Sequence, residues 1–232
     1  GREGDRLFIT MEYVEGFDLN QLLRQLSKNR IPLPAEFALF VVREILRALD
    51  FAHRKRDEGG ELLGIVHCDV SPSNVLISRH GEIMLSDVGV AKAVSGSSRK
   101  QSAVKGTIPY MSPEQLKLDS LDGRADLFGM GVVLFEALCG RLPYEGGHDP
   151  ATIMLILEGK QESLSALAPG APKELCDIIE SLIEPNREKR PDSAAELIEL
   201  LDPFVPTPRV RRALGKRVGE LRPEEELISD YP

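Results

Sequence analysis

The segment His67-Cys68-Asp69-Val70-Ser71-Pro72-Ser73-Asn74, with Asp87-Val88-Gly89 downstream, holds the chemically active residue types of this chain. It places a carboxylate at Asp69, an amide five residues later at Asn74, and a second carboxylate at Asp87. Mg²⁺ prefers one or two protein oxygens that are completed by phosphate and water. Asn74 and Asp87 are therefore candidate metal ligands, and Asp69 is a candidate base for a hydroxyl proton. Phosphoryl transfer needs these groups, because that reaction depends mainly on positioning and charge neutralisation.

The sequence between the amide and the second carboxylate predicts a β-hairpin. Two short runs, Val75-Leu76-Ile77-Ser78 and Glu82-Ile83-Met84-Leu85, flank the turn sequence Arg79-His80-Gly81. Apolar runs of this length around a glycine-containing turn are typical of a hairpin. The hairpin would carry the chain out and back, so we expect Asp87 to return beside Asn74.

Three further motifs extend the pattern. The first is Gly106-Thr107-Ile108-Pro109-Tyr110-Met111-Ser112-Pro113-Glu114, and the second is Asp126-Leu127-Phe128-Gly129-Met130-Gly131, which Arg190 follows. The third, Met11-Glu12-Tyr13-Val14-Glu15-Gly16, lies near the start. Together with the segments above, and in their order along roughly residues 7 to 201, these motifs resemble the catalytic domain of protein kinases. The sequence of residues 69–74 most resembles that of bacterial Ser/Thr kinases of the eukaryotic type.

The resemblance implies an α+β, protein-kinase-like fold: a mostly helical C-lobe with a small β-hairpin and with the N-lobe largely absent. Residues 1–16 would be the last N-lobe strand and the hinge, residues 17–202 the C-lobe, and residues 203–232 a disordered tail or linker. No Gly-rich loop or strand lysine precedes the hinge motif in this chain. We therefore expect the chain to be a kinase fragment with little activity by itself.

The resemblance also assigns the cofactors ATP and Mg²⁺, with Asn74 and Asp87 as metal ligands. Adenine would meet the carbonyl of Glu12 and the amide of Val14, with Met11 as gatekeeper. Asp18 would contact the ribose and Leu76 the ring face. Asp69, Asn74 and Asp87 would be catalytic, together with Thr107, which would bridge Asp69 and the substrate hydroxyl.

Four other residues receive structural roles from the resemblance. His67 would brace the catalytic loop against the segment of Asp87, Glu114 and Arg190 would form a buried ion pair, and Asp126 would accept backbone N–H bonds from the catalytic loop. Three positions depart from the family pattern. Cys68 stands where an arginine is usual, Ser71 where Ser/Thr kinases usually have a lysine, and Val88 where a phenylalanine is usual.

Hydrophobic periodicity predicts the remaining elements. We expect a strand over residues 7–14, a helix from Asp18 to about Ser27 and a mobile loop over residues 94–105. Further helices are expected over 126–138, ended by Gly140, and over about 149–158, 172–184 and 191–201. A longer helix from Pro34 would bury one face, made of Phe37, Val41, Ile45, Ala48, Leu49 and Ala52.

Composition narrows the class of partner. The net charge of −8 argues against nucleic-acid binding, and no apolar run has the length of a membrane span or signal peptide. The three cysteines are not clustered, which favours reduced thiols and a cytoplasmic location over a disulfide or metal site. The expected partners are ATP and a protein substrate with a serine or threonine hydroxyl.

Two other functions compete with a Mg-ATP-dependent Ser/Thr kinase. Cys68, Ser71 and Val88 favour a pseudokinase scaffold, although a scaffold would not need Asp69, Asn74 and Asp87 together. A small-molecule phosphotransferase shares the Asp–Asn–Asp layout. The Ser112-Pro113-Glu114 element, the start of the helix at Asp126 and Arg190 favour protein substrates.

Overall fold

The computed structural model of the chain describes residues 1–3, 6–7, 10–28, 33–87, 107–205 and 209–221. Its strands are β1 (Arg2–Glu3), β2 (Arg6–Leu7), β3 (Gly16–Asp18), β4 (Val75–Ser78) and β5 (Ile83–Leu85). Its α-helices are α1 (Leu19–Lys28), α2 (Ala35–His53), α3 (Pro113–Leu116), α4 (Arg124–Cys139), α5 (Asp149–Glu158), α6 (Leu164–Leu167), α7 (Lys173–Leu182), α8 (Ala194–Leu201) and α9 (Arg209–Leu221). The predicted α+β class, mostly helical with a small hairpin, is confirmed.

The predicted hairpin is present as β4 and β5, and it belongs to a three-stranded antiparallel sheet in the order β3-β4-β5. Val75 pairs with Leu85 and Ile77 with Ile83. The third strand, β3, was not predicted, because glycine is depleted in strands and β3 begins at Gly16. In the structure, a Cβ at Gly16 would lie 1.9 Å from the carbonyl oxygen of Ile77, so only glycine lets the two backbones approach this closely.

The strand predicted over residues 7–14 is wrong over most of its length. Strand β2 ends at Leu7, residues 10–14 have no strand structure, and residues 8–9 lie outside the described part of the chain. β-branched and aromatic residues favour a strand only where a neighbouring strand completes the ladder. In the described residues, pairing with β4 begins at Gly16 instead.

Helix α4 runs through the core, as its continuous apolar sequence predicts. Its end is also as predicted, because Gly140 adopts a left-handed conformation with φ of 71°. Helix α2 packs beside α4 and buries Phe37, Val41 and Ile45 with their neighbours. The predicted burial is wrong for Ala48, which is exposed. Helices α5, α7 and α8 lie within the ranges predicted for them.

The predicted disorder of the chain end is wrong for residues 209–221. These residues form helix α9, whose Val210, Leu214 and Val218 belong to the hydrophobic core. The three residues are spaced by four, so they share one face of a helix, but the surrounding arginines and lysine gave the segment the composition of a solvated linker. Residues 206–208 and 222–232, like the loop expected over 94–105, lie outside the described residues.

Candidate active site

Asn74 and Asp69 are joined directly. The Asn74 Nδ2 atom donates to the backbone carbonyl of Asp69 at 2.7 Å and to its Oδ2 atom at 3.0 Å. A short 3-10 helix, Pro72–Asn74, turns the loop back so that this contact closes. The amide nitrogen is thereby used for the loop, and no hydrogen bond reaches Asn74 Oδ1 from the described residues. That oxygen remains available to a cation.

The hairpin brings Asp87 back to Asn74, as expected. The Ser86 amide donates to the carbonyl of Asn74 at 2.9 Å, and the Ser86 hydroxyl donates to the same carbonyl at 3.2 Å. Asp87 is the next residue, exposed, with a left-handed backbone of φ 61°. This conformation costs a non-glycine residue about 1–2 kcal/mol. The end of β5 thus turns away from the ladder at the predicted metal ligand.

His67 braces the loop against this segment, as the resemblance implies. It is buried, and its Nε2 atom lies 2.8 Å from the carbonyl oxygen of Ser86. The Asp69 amide donates to His67 Nδ1 at 3.3 Å. Since Nδ1 accepts, the ring proton is assigned to Nε2, which donates to Ser86. Both ring nitrogens are therefore used in positioning Asp69 relative to Asp87.

Asp126 anchors the loop that carries Asp69 through the backbone amides of that loop, as the resemblance implies. It is buried at the start of α4, with Oδ2 accepting from the His67 amide and Oδ1 from the Cys68 amide, both at 2.9 Å. Cys68 has a left-handed φ of 67°, a conformation that persists only where neighbouring bonds fix it. The Gln115 side chain fixes the other side of the residue, donating to the Cys68 carbonyl at 2.7 Å.

His53 is a site residue that the sequence did not reveal. It lies at the end of α2, and its Nε2 atom is 2.7 Å from Asp126 Oδ2. A Cβ at Gly123 would lie 2.6 Å from the His53 ring, so the small residue before α4 leaves room for the imidazole. Only the tertiary fold brings these groups together, across 73 residues of sequence.

Thr107 lies beside Asp69 and contacts it through its backbone amide, not through its hydroxyl. Its amide donates to Asp69 Oδ1 at 3.4 Å. The 3-10 helix Ile108–Tyr110 follows, and the Tyr110 hydroxyl donates to Glu136 Oε2 at 2.6 Å. Burial raises the pKa of Tyr110 and also that of the Glu136 carboxyl. The pair, which was not predicted, ties the segment after Thr107 to helix α4.

The predicted buried ion pair of Glu114 and Arg190 is present in bidentate form. Arg190 Nη1 and Nη2 donate to the two Glu114 carboxylate oxygens at 2.7 and 3.0 Å. Arg190 also donates to the carbonyls of Glu184, Arg124 and Pro185. This network fixes helix α3, and with it Gln115, against the late helices.

The four residues expected at the nucleotide are only partly brought together. Asp18 and Leu76 are direct cross-strand partners between β3 and β4. Asp18 also begins helix α1, since its Oδ1 accepts from the Gln21 amide at 2.7 Å. Glu12 is exposed and Val14 half-buried in the segment that precedes β3. The contacts recorded among the described residues bring neither of these two to Asp18 or Leu76.

Within the described residues, no group of three or more His, Cys, Asp and Glu side chains forms a metal site. The candidate metal ligands, Asn74 and Asp87, are an amide and one carboxylate, which leaves room for phosphate and water oxygens. The three cysteines are free thiols. In the described part of the chain, no helix has the length and apolar character needed to cross a membrane.

Comparison with known proteins gives one consistent result. A family model described as the protein kinase domain matches residues 2–200. The tyrosine-protein kinase MasK of Myxococcus xanthus is 35% identical over 199 residues, or 85% of this chain and 31% of that protein. The probable serine/threonine-protein kinase PknB of Lactococcus lactis is 34% identical over 173 residues, covering 74% of this chain and 26% of that protein. The serine/threonine-protein kinase PrkC of Bacillus subtilis is 29% identical over 233 residues, covering 100% and 34%. The chain thus spans about a third of the length of these relatives.

Proposed function

The chain belongs to the protein kinase family, and we propose that it carries the catalytic centre of a Mg-ATP-dependent protein kinase that phosphorylates serine or threonine hydroxyls. The observation that carries this proposal is the unit formed around Asn74. The side chain of Asn74 bonds both the carbonyl and the carboxylate of Asp69, and its carbonyl accepts from Ser86, next to Asp87. One residue therefore links the candidate base to the candidate metal ligand.

Asp69 is the group that we propose as the base. Asn74 Nδ2 reaches its Oδ2 and the Thr107 amide reaches its Oδ1. These two donors leave each oxygen with a free lone pair and fix the plane of the carboxylate. A substrate hydroxyl that approaches Asp69 would give its proton to this carboxylate as the hydroxyl oxygen attacks the γ-phosphorus of ATP, with ADP as the leaving group. Thr107, at the same oxygen, would help to orient that hydroxyl.

Asn74 Oδ1 and the Asp87 carboxylate are the ligands that we propose for Mg²⁺. Both are hard oxygen donors, and both belong to residues at the open end of the β4-β5 hairpin. This donor set suits a hard cation that retains other ligands. When bound, Mg-ATP supplies the phosphoryl group and the metal charge that offsets the phosphate oxygens.

The nucleotide would lie along β3 and β4. Asp18 Oδ1 caps helix α1, whereas Oδ2 receives no hydrogen bond from the described residues, so this oxygen is our proposed ribose contact. Leu76 is half-buried directly opposite Asp18. The proposed adenine contacts are the Glu12 carbonyl and the Val14 amide, because the segment that contains them leads directly into β3. An apolar wall with a few polar contacts is the usual makeup of such a site.

A pseudokinase scaffold is the second candidate, and Ser71 is the observation that favours it. Ser71 is only 2% exposed, so the position where the family usually has a lysine presents no cation to a phosphate. The loss of such a charge raises the barrier by an amount on the order of kcal/mol. Turnover would then be slower, while the base and the metal ligands remain in place.

The choice of serine or threonine as the acceptor is also a proposal, since the relatives named above include kinases for tyrosine and for serine or threonine.

Nucleotide binding by the full-length protein that contains this chain tests the assignment. Asp87→Ala should weaken Mg-dependent ATP binding at least about ten-fold, the scale seen when groups around a metal are removed. Asp69→Asn should leave that binding nearly unchanged, because Asp69 addresses the substrate. Asp119→Ala, at an exposed acid that follows helix α3, is the control. Equal binding by the Asp87 variant, the control and the unchanged protein would refute the metal assignment.

A further inference from the structure

Helix α9 lies beyond residue 200, where the match to the protein kinase family model ends. It nevertheless packs against β4, β3 and helix α2. Val210, Leu214 and Val218 are 6%, 0% and 1% exposed and form its buried face. The helix is thus an integral part of the folded unit, and it lies next to the hairpin that carries the candidate metal ligands.

Two glycines bring the backbone of α9 directly against the turn of that hairpin. A Cβ at Gly81 would lie 2.0 Å from the carbonyl oxygen of Arg211. A Cβ at Gly215 would lie 2.7 Å from the backbone of residues 79, 80 and 81. Real Cβ atoms do not approach other atoms this closely, so both positions require the absence of a side chain. Arg211 adds an ion pair with Glu82 at 2.9 Å, on the first residue after the turn.

The turn is held from its other side as well. The Arg79 amide donates to the carbonyl of Glu15 at 2.9 Å, and their side chains form an ion pair at 2.6 Å. The Ser78 hydroxyl accepts from the amides of His80 and Glu82. The turn therefore lies between the segment before β3 and helix α9, and the backbone N–H groups of residues 79–82 are all bonded.

Asn74 and Asp87 lie at the opposite end of the same two strands. Strands β4 and β5 have four and three residues, so the turn is roughly 10–13 Å from the metal ligands at about 3.3 Å per residue. A hairpin this short has little stability of its own and depends on packing. The turn therefore helps to fix the separation of the two ligands, together with the hydrogen bonds between Ser86 and Asn74.

We propose that helix α9 positions the metal ligands Asn74 and Asp87 by bracing the hairpin turn, with Gly81 and Gly215 as positioning residues. This inference rests on the proposed function for the role of the two ligands, but the brace itself is a property of the fold. It makes residues beyond the family model part of the proposed catalytic unit. It also explains why glycine occupies position 215, inside a helix where it costs about 0.5–1 kcal/mol relative to alanine.

Gly215→Ala and Gly219→Ala form a matched pair that tests the brace. Both replace glycine in α9, but a Cβ at Gly219 meets nothing within 4 Å. Hydrogen exchange of the 232-residue chain, measured by mass spectrometry, should rise about ten-fold over residues 75–86 in Gly215→Ala, which reports local opening. Exchange in α4 should stay unchanged, and Gly219→Ala should leave the hairpin as it is. If Gly215→Ala does not fold, Val218→Ala replaces it, because it truncates the buried face of α9 and loosens the packing of the helix without overlap.

Kinetics of the full-length protein test the effect on the ligands. In Gly215→Ala the KM for Mg-ATP should rise about ten-fold, equivalent to about 1.4 kcal/mol, with a smaller change in kcat than in KM. Gly219→Ala should match the unchanged protein. Unaltered hairpin exchange, or a loosened hairpin with an unaltered KM, would overturn the inference and leave the proposed function standing. No Mg-dependent ATP binding by the unchanged protein would overturn the proposed function and the positioning role together, even if the hairpin loosened.

Discussion

Replacement of Asp126 by asparagine removes the charge on which the catalytic loop rests, while the shape of the side chain is kept. The carboxylate is 1% exposed and accepts from His67 N, Cys68 N and His53 Nε2. An asparagine can present only one oxygen, so its NH₂ group would face at least one of these N–H donors. The loop would then lose a contact that offsets the left-handed conformation of Cys68.

The size of the effect follows from the number of bonds lost. A hydrogen bond to a charged group contributes about 1.5–3 kcal/mol, and one or two such bonds are lost in Asp126→Asn. We therefore expect the free energy of unfolding to fall by about 2–5 kcal/mol. Each 1 kcal/mol lowers the melting temperature of a chain of this size by about 2–4 °C.

Urea unfolding measures this loss, and hydrogen exchange over residues 66–74 shows whether the loop opens locally. The control is Asp177→Asn, which removes a charge from an exposed pair with Lys173 on helix α7 and should change stability by about 0–1 kcal/mol. A loss below about 1 kcal/mol in Asp126→Asn, with unchanged exchange in the loop, would show that Asp126 does not hold it.

Three other consequences can be measured. Arg190→Met should lower the free energy of unfolding by about 3–5 kcal/mol, because it leaves Glu114 buried without a partner; Lys189→Met, at an exposed pair, should cost about 0–1 kcal/mol in the same urea titration. Burial raises the pKa of Tyr144 above its ordinary value, so the unfolded chain releases the phenol proton first and stability should fall as pH rises above about 10. Urea titrations between about pH 9 and 11 should show a smaller fall for Tyr144→Phe, and an identical slope would contradict the assignment. Cys68 stands where the family usually has an arginine and offers no charge for a phosphate to neutralise, so phosphatase treatment of the full-length protein should reduce its initial rate of phosphoryl transfer by less than about ten-fold; a larger loss, restored by rephosphorylation within residues 95–102, would contradict this expectation.

The parts of the site that the sequence predicted are the ones that local spacing determines. The hairpin returns Ser86 to Asn74 because its two strands pair around a short turn. The bond between Asn74 and Asp69 lies within one tight loop and was not predicted. The contacts of Asp126 were implied by the resemblance to the family, and they satisfy a buried carboxylate at the start of an apolar helix. His53 could not be identified in this way, since only the packing of α2 against α4 brings it to Asp126.

The errors in the fold have equally specific causes. Glycine weakens most strands, whereas the missing Cβ of Gly16 is what lets β3 join the sheet. The composition of residues 7–14 favours a strand, but composition does not provide a pairing partner. Helix α9 was missed because basic residues surround the spacing of Val210, Leu214 and Val218. In each case the decisive contact is with a distant segment of the chain.

The central claim is that Asp69 is the base of a Mg-ATP-dependent protein kinase, and the rate of γ-phosphoryl transfer to a protein substrate tests it most directly. We expect the full-length protein to transfer phosphate to serine or threonine in the presence of Mg-ATP. Asp69→Asn should lower that rate by at least about 10²-fold, the contribution of a positioned base, while ATP binding persists. Asp119→Asn should retain the full rate. Transfer at an equal rate by the Asp69 variant and the unchanged protein would contradict the account.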